Sequence, residues 1–241
     1  MRTLISSLTL LLYSLLATYT AAQTLQDTLV LTEEYPPYNY LDEQGNLQGI
    51  AVDLLERAYR QGGVSFDRTH IRVQPWPRSY RQVQKGSNVM LFSMTRTPAR
   101  EALFQWAGPI SKTKVVLLAK RGRGIKIDTV DDLSGYVIGG IHNDIGVILV
   151  HELLNYKAEV LTTPHASSLA KMLHLKRIDL WAYEENAAKL FIQRSGFDPE
   201  NYEAVYTLSE SELYYAFSLN TPASTVEQLQ RALDSLKQRK K

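Results

Sequence analysis

Two hydroxyl side chains followed by an arginine form the part of this sequence best suited to bind a small anion. These residues are Ser93, Thr95 and Arg100. Between them, Thr97 is a helix-capping residue type and Pro98 is suited to the first helical position. The free N–H groups at such a helix start favour an anion, and arginine can bind both oxygens of a carboxylate. The sequence therefore predicts a carboxylate site at a strand-to-helix turn.

The same residues resemble a known family signature. The run from Ser93 to Arg100 resembles the Ser-x-Thr/Ser-x-Thr-x-x-Arg motif of periplasmic solute-binding proteins of the polar amino-acid type, the capture subunits of ABC importers. The resemblance implies that Ser93, Thr95 and Arg100 hold the α-carboxylate of a ligand. It also implies that Tyr35 packs its ring on that ligand. The alternative for Tyr35 is a tyrosine on the surface of the first lobe.

The resemblance implies a second set of ligand contacts further along the chain. Glu184 lies five positions after Asp179, where relatives carry the acid that binds the ligand's ammonium, and Glu185 is an alternative. Both carboxylates could instead serve only to stabilise the first turn of a helix. Relatives carry Gly-Thr/Ser, whose N–H groups bind the carboxylate, where this chain has Asn143 and Asp144. Asn143 is thus a predicted ligand residue. Asp144 would repel a carboxylate unless it caps its own helix, which leaves a cationic, peptide-like or non-amino-acid ligand open.

Strand and helix patterns alternate along the chain and predict an α/β fold with parallel, doubly wound sheets. With the resemblance, the expected architecture is two lobes joined by a two-stranded hinge, like a type II periplasmic binding protein. We expect lobe one to comprise 23–119 and 213–241, and lobe two 120–212. Ligands in such sheets bind beyond the carboxyl ends of the strands, where the predicted carboxylate site lies.

The patterns also give bounds for the individual elements. Predicted strands are 28–32, 64–73, 88–92, 113–119, 136–140, 158–161, 178–183 and 213–219. Predicted helices are 49–61, 76–85, 144–156, 166–175, 184–195 and 223–237, with a further helix that begins at Pro98.

Composition and the N-terminus indicate an exported globular protein. The chain has 241 residues, and 27 Lys and Arg against 25 Asp and Glu leave too little positive charge to favour a nucleic-acid partner. Residues 1–22 have the pattern of a signal peptide, the alternative being an uncleaved membrane anchor. The chain has no cysteine, so it lacks both disulfides and the lipobox cysteine of tethered binding proteins. We therefore expect a periplasmic location, a small-molecule ligand, an inner-membrane ABC permease or receptor as partner, and a monomer.

Catalytic and metal motifs are incomplete in this sequence. His151 and Glu152 lack the second histidine of a zinc protease motif. Ser168 and Lys171 match Ser-x-x-Lys in spacing but lack the partner motifs of acyl-transferring enzymes. We expect no catalytic residue, no metal and no cofactor. The alternative function is a soluble ligand-sensing protein that presents its ligand to a membrane receptor.

Overall fold

The structure is a computed structural model that describes residues 24–157 and 159–239. The predicted signal peptide, 1–22, lies outside the described residues. No helix in the described ranges combines the length and apolar character needed to cross a membrane.

An eight-stranded sheet and a separate hairpin carry the fold. The strands are β1 (Leu29–Thr32), β2 (Tyr40–Leu41), β3 (Leu47–Gln48), β4 (Arg72–Val73), β5 (Val89–Thr95), β6 (Gln105–Lys120), β7 (Ile138–Ile141), β8 (Val160–Thr163), β9 (Leu180–Glu184) and β10 (Tyr202–Phe217). The α-helices are α1 (Ile50–Gln61), α2 (Trp76–Lys85), α3 (Pro98–Glu101), α4 (Ile145–Leu153), α5 (Ala166–His174), α6 (Glu185–Arg194) and α7 (Ala223–Gln238).

The large sheet has a parallel group of strands at each end. Its order is β4-β1-β5-β10-β6-β9-β7-β8. At one end β1 runs parallel to β4 and β5, and at the other β7 runs parallel to β8 and β9. The long strands β6 and β10 pair antiparallel between the two groups. We call β1–β5 with α1–α3 and α7 the first half, and β7–β9 with α4–α6 the second half.

Apolar residues fill the space around both parallel groups. Every residue of β5 is buried, including Ser93 and Thr95, which follow its apolar run of Val89 to Phe92. The amphipathic helices α1 and α7 pack against each other on the first half. One apolar cluster includes Phe92 and Trp76 of the first half together with Trp181 and Phe191 of the second. The two halves therefore contact each other directly across the cleft between them.

Four strands, β4, β5, β6 and β10, differ markedly from the sequence predictions. The predicted strand 64–73 is reduced to β4, because a 3-10 turn at Arg68–His70 occupies much of it. β5 continues beyond Phe92 to include Ser93 and Thr95. β6 and β10 are each 16 residues long, whereas the predicted strands covered only 113–119 and 213–219. Their polar segments remain extended because each satisfies the other's backbone hydrogen bonds.

Candidate ligand-binding site

The predicted site residues collect at the carboxyl ends of parallel strands. Ser93 and Thr95 lie in the last three residues of β5, and Glu184 ends β9. Tyr35 comes three residues after β1, and Asn143 two residues after β7. These residues therefore lie at the cleft between the two halves. Ligands in open α/β sheets usually bind at the carboxyl ends of strands, as here.

Arg100 lies where the first half contacts the second half. It belongs to the short helix α3, and only 1% of its surface is exposed. Trp76 and Tyr80 flank its guanidinium, with ring centroids 5.5 Å and 5.2 Å from Cζ. Because residues four apart on a helix share a face, α2 presents both rings to the cation. Contact with aromatic rings stabilises a guanidinium that has lost its water.

Two backbone carbonyls accept hydrogen bonds from this guanidinium. Nη1 donates to the carbonyl of Thr95 over 3.3 Å, and Nη2 to the carbonyl of Asn143 in the second half over 3.2 Å. Trp76 Nε1 donates to the same Asn143 oxygen over 3.0 Å. Within the described ranges, Nε of Arg100 has no hydrogen-bond partner. A buried donor without a partner is costly, so the guanidinium can still gain from an acceptor that a ligand brings.

Asn143 contacts Arg100 through its carbonyl, whereas the resemblance implied N–H donors at this position. Its φ of 61° lies in the left-handed region, which asparagine adopts more readily than most residues. Its side chain is exposed. Next to it, Asp144 precedes α4, and its carboxylate accepts no capping hydrogen bond from the described residues. Asp144 therefore places a carboxyl close enough to Arg100 for the guanidinium charge to act on it.

Ser93 is the extra residue of a β-bulge. The pairing of β5 with β10 passes from Met94 to Phe92 and leaves Ser93 unmatched, with a φ of 62°. A bulge re-aims the side chain it carries. Here the Ser93 hydroxyl donates to Oδ1 of Asn39, whose Nδ2 donates to the carbonyl of Glu33 over 2.7 Å. In this structure the Ser93 hydroxyl holds the loop after β1 in place.

Three tyrosine rings form the contact between the two halves beside Arg100. The ring of Tyr35 lies 5.3 Å from that of Tyr38 and 5.5 Å from that of Tyr183. The N–H of Ala51 in α1 donates to the carbonyl of Tyr38 over 2.9 Å, which fixes this loop to the helix. Tyr35 and Tyr183 are both buried. These rings supply the apolar surface that most ligand sites use for packing.

Glu184 joins the start of α6 to the first half. Its Oε2 accepts from the N–H of Ala187 over 2.6 Å, so it caps the helix. Its Oε1 accepts from the hydroxyl of Tyr38 over 3.3 Å. Burial raises the pKa of Glu184, and the N–H groups of Ala187 and Asn186 oppose that shift. Glu185, the alternative, is paired with Lys189 over 2.8 Å.

Two further carboxyls face the cleft from opposite halves. Burial raises the pKa of Glu33 well above its ordinary value, the charges of Asp144 and Glu34 raise it further, and Arg100 opposes them. Burial also raises the pKa of Asp144, against the opposing effect of Arg100 and of two backbone N–H groups. Glu184 is a third carboxyl of the cleft, and the charge of Arg100 acts on Glu33 and Asp144. In all three, burial favours the protonated form.

The charge of Glu33 should destabilise the protein in the absence of ligand. The pKa of Glu33 is higher in the folded than in the unfolded chain, so the folded state binds more protons between the ordinary pKa of 4.5 and the raised one. The free energy of unfolding therefore falls as pH rises through that window. We expect Glu33→Gln to raise Tm at pH 8, and the gain to disappear as pH falls below about 4.5.

Thermal melts of the two proteins across pH 4–8 measure this difference. Glu43→Gln is the control, because Glu43 is an exposed carboxyl in the turn between β2 and β3. It should change neither Tm nor its pH dependence. A Glu33→Gln protein that melts below wild type at pH 8 would show that the ionised carboxylate stabilises the fold.

Several cleft residues were not predicted as ligand residues from the sequence. Asn39, Trp76, Tyr183 and Glu33 are among them. The sequence could have indicated Glu33 as a site residue, since it is the first residue after β1 and so lies at a carboxyl end. The sequence could not have indicated the hydrogen bond of Trp76, because its partner, Asn143, is 67 residues away in the chain.

A family model and a curated protein both match the sequence of this chain. The model of the family described as bacterial extracellular solute-binding proteins, family 3, matches residues 28–241. A probable histidine-binding protein of Neisseria gonorrhoeae is 26% identical over 119 residues, which are 49% of this chain and 40% of that protein. The chain thus spans well under half the length of that curated relative.

Solved structures share the fold at low sequence identity. A histidine kinase sensor domain with similarity to periplasmic binding proteins superposes with a TM-score of 0.76 at 18% identity, covering 88% of this chain and 91% of that one. Holo ArgBP from T. maritima gives a TM-score of 0.71 at 19% identity, covering 86% and 90%. These similarities confirm the predicted type II periplasmic binding protein fold.

Proposed function

Because the chain belongs to the bacterial extracellular solute-binding proteins of family 3, we propose that it captures an amino acid in the cleft between its two halves and delivers it to an ABC importer. The family is one of binding proteins, so the protein's role is to bind a solute. The probable histidine-binding protein of Neisseria gonorrhoeae, and an ancestral arginine-binding protein that shares the fold with a TM-score of 0.72 at 20% identity, support an amino acid as the ligand.

The observation that carries this proposal is the state of Arg100. It is a buried cation between two aromatic rings, it faces the second half, and within the described ranges its Nε has no partner. Its direct hydrogen bonds go to neutral carbonyls, which are weaker acceptors than a carboxylate. A ligand carboxylate can replace the Asn143 carbonyl, use the free Nε and neutralise the guanidinium.

We propose the ammonium of the same ligand binds at Glu184, with the tyrosine rings packed on its carbon skeleton. Arg100 and Glu184 come from different halves, so such a ligand bridges the cleft. We propose a hinge where β6 and β10 cross between the halves, near Lys112–Lys114 and Glu210–Glu212. On β6 this lies before the 119/120 boundary expected from the sequence, because Val115–Ala119 pair with β9 of the second half. Closure about this hinge is then driven by the bridging contacts.

The first experiment is a calorimetric titration of the purified protein with a panel of free L-amino acids. We expect at least one to bind with a Kd in the micromolar range or below, because the charged ends are both desolvated and paired. If no member of the panel binds to a folded protein, amino-acid capture is excluded.

Small-angle X-ray scattering then tests closure. With a confirmed ligand at saturation, we expect the radius of gyration to fall or the open fraction of the ensemble to disappear, since both halves contact the ligand. Tight binding with an unchanged radius of gyration would place the site within one half, and the role of Glu184 would be lost.

The proposed location is the periplasm, where the family's extracellular character and the predicted signal peptide would put the protein. The proposed partner is an inner-membrane ABC permease, and the proposed state is a monomer. The similarity to a kinase sensor domain concerns the fold, which sensors and transport proteins share. Pull-down of a permease from inner-membrane extracts, dependent on added ligand, would support transport.

A further inference from the structure

The hydrogen bond from Trp76 to Asn143 joins the two halves of the protein at short range. The indole Nε1 of Trp76 donates to the backbone carbonyl of Asn143 over 3.0 Å. The hydrogen bonds that Arg100, Tyr38 and Arg194 make to the opposite half are longer, at 3.2, 3.3 and 3.3 Å. The side chain of Arg194 is also 39% exposed, and exposed ion pairs contribute little.

Packing within the first half holds the indole in place. Trp76 is buried at the start of α2. Its ring centroid lies 5.5 Å from that of Tyr80, whose own ring lies 5.6 Å from that of Phe104. Side chains in such close packing have little room to change rotamer. The N–H of Trp76 therefore keeps a fixed position relative to the first half.

The acceptor is fixed by the backbone of the second half. Asn143 lies between β7 and α4, and the next N–H, of Asp144, donates to the carbonyl of Ile141 over 3.0 Å and closes a tight turn. The carbonyl of Asp144 accepts from the N–H of Ile148 over 3.1 Å, which joins this turn to α4. A donor and an acceptor that are both held in place lose little conformational freedom when they meet. Their hydrogen bond can therefore stabilise the contact between the halves.

The carbonyl of Asn143 accepts from two donors of the first half. Nη2 of Arg100 is the second donor, and a carbonyl oxygen has lone pairs for both. In the proposed function, a ligand carboxylate takes Arg100 from this oxygen. The indole of Trp76 has a single N–H, and the exchange at Arg100 leaves it bonded to Asn143. One of the two bonds to this carbonyl is therefore independent of the ligand.

We propose that Trp76 is a latch, which holds the two halves together while a ligand carboxylate occupies Arg100. Trp76 is a positioning residue, because its N–H acts on the second half through Asn143. This inference rests on the proposed function and names a residue that sets the affinity of the same cleft. The apparent affinity of a ligand scales with the fraction of molecules in the binding-competent state. The latch therefore strengthens the binding of every ligand that bridges the halves by the same factor.

Replacing Trp76 with phenylalanine removes the N–H and keeps an aromatic ring beside Tyr80 and Arg100. The first test measures the distance between the halves in the purified protein with no amino acid added. Because the chain has no cysteine, spin labels can be attached at Gln84→Cys in α2 and Ser167→Cys in α5, which are both exposed positions. We expect Trp76→Phe to lower the ratio of closed to open molecules about three- to tenfold, the scale of one neutral hydrogen bond. An unchanged distance distribution in the folded variant would overturn the latch.

Calorimetry and stopped-flow kinetics with L-arginine and L-histidine form the second test. We expect Trp76→Phe to raise both Kd values by the same factor, about three- to tenfold. The change should lie in faster dissociation, because the latch acts on the closed complex. A Kd that rises for one amino acid alone would show that Trp76 contacts the ligand, and it would overturn the latch. Wild-type Kd values for both amino acids in the folded variant would also overturn it.

Trp106→Phe is the matched control for both tests. Trp106 Nε1 donates to the carbonyl of Glu101 over 3.2 Å, and Cζ of Arg96 lies 5.6 Å from its ring centroid. These contacts resemble those of Trp76, but they do not reach the second half. The control should therefore match wild type in the ratio of closed to open molecules and in both Kd values.

The two tests separate the latch from the proposed function. If no amino acid binds wild type, the proposed function fails, and the distance measurement still decides whether the latch exists. If Trp76→Phe does not fold, 3-benzothienylalanine at position 76 takes its place in both tests. That residue keeps the shape of the indole and carries sulfur where tryptophan has the N–H, so the same results are expected and the same results would overturn the latch.

Discussion

Replacing Arg100 with methionine should abolish most of the protein's affinity for any ligand that carries a carboxylate. The change removes the charge while keeping an unbranched side chain between the rings of Trp76 and Tyr80, and sulfur packs well against aromatic rings. Loss of a buried, hydrogen-bonded charge pair costs about 2–5 kcal/mol, or roughly 30- to 4,000-fold in Kd. Calorimetric titration with the best amino acid of the panel measures the loss.

Arg96→Met is the matched control for this prediction. Arg96 lies four residues earlier, between β5 and α3, its side chain is 37% exposed, and it pairs with Glu101. Its replacement should leave Kd within about twofold, since exposed ion pairs contribute little. Wild-type affinity in a folded Arg100→Met protein would show that the guanidinium has only a structural role.

Replacing Glu184 with glutamine should weaken binding of an amino acid far more than binding of its desamino analogue. The amide oxygen of glutamine can still accept from the N–H of Ala187, so the start of α6 is retained. What is lost is the charge that binds the ammonium, worth about 1.5–3 kcal/mol or roughly 10- to 150-fold in Kd. The desamino carboxylic acid has no ammonium and should bind both proteins equally.

Glu185→Gln controls for the loss of a carboxylate at this helix start. Glu185 is already paired with Lys189 and with Lys114, at 2.8 Å and 3.4 Å. Its replacement should affect both ligands little. If Glu184→Gln weakens both ligands equally, then Glu184 serves only as a helix cap.

The elements that the sequence predicts well are those with local signals. The predicted helix 76–85 has the observed bounds of α2, because proline near its start and Gly86 after its end mark both termini. The strands that extend beyond their predicted bounds depend on pairing between distant segments. The polar stretch from Thr207 to Glu212 of β10 has no strand pattern of its own, and it is extended because β6 lies beside it.

For the candidate site, the positions of several residues were predicted from the sequence, but their contacts were not. Arg100 was predicted from a short motif, and Glu184 and Asn143 from the resemblance to the family. Glu184 and Asn143 both lie at the carboxyl ends of strands, where ligands bind in such sheets. The use of each group depends on tertiary contacts. Ser93 binds Asn39 because a bulge turns its side chain, and Asn143 offers a carbonyl because of its left-handed backbone. Both contacts join residues that are far apart in the chain, so a local sequence pattern does not predict them.

A crystal structure of the protein grown with the tightest-binding amino acid tests the central claim most directly. We expect the ligand's carboxylate oxygens to lie about 2.7–3.2 Å from the guanidinium nitrogens of Arg100, in place of the Asn143 carbonyl. The ammonium should contact Glu184 from the other half. A ligand bound outside the cleft, with Arg100 still donating only to the carbonyls of Thr95 and Asn143, would contradict the proposed site.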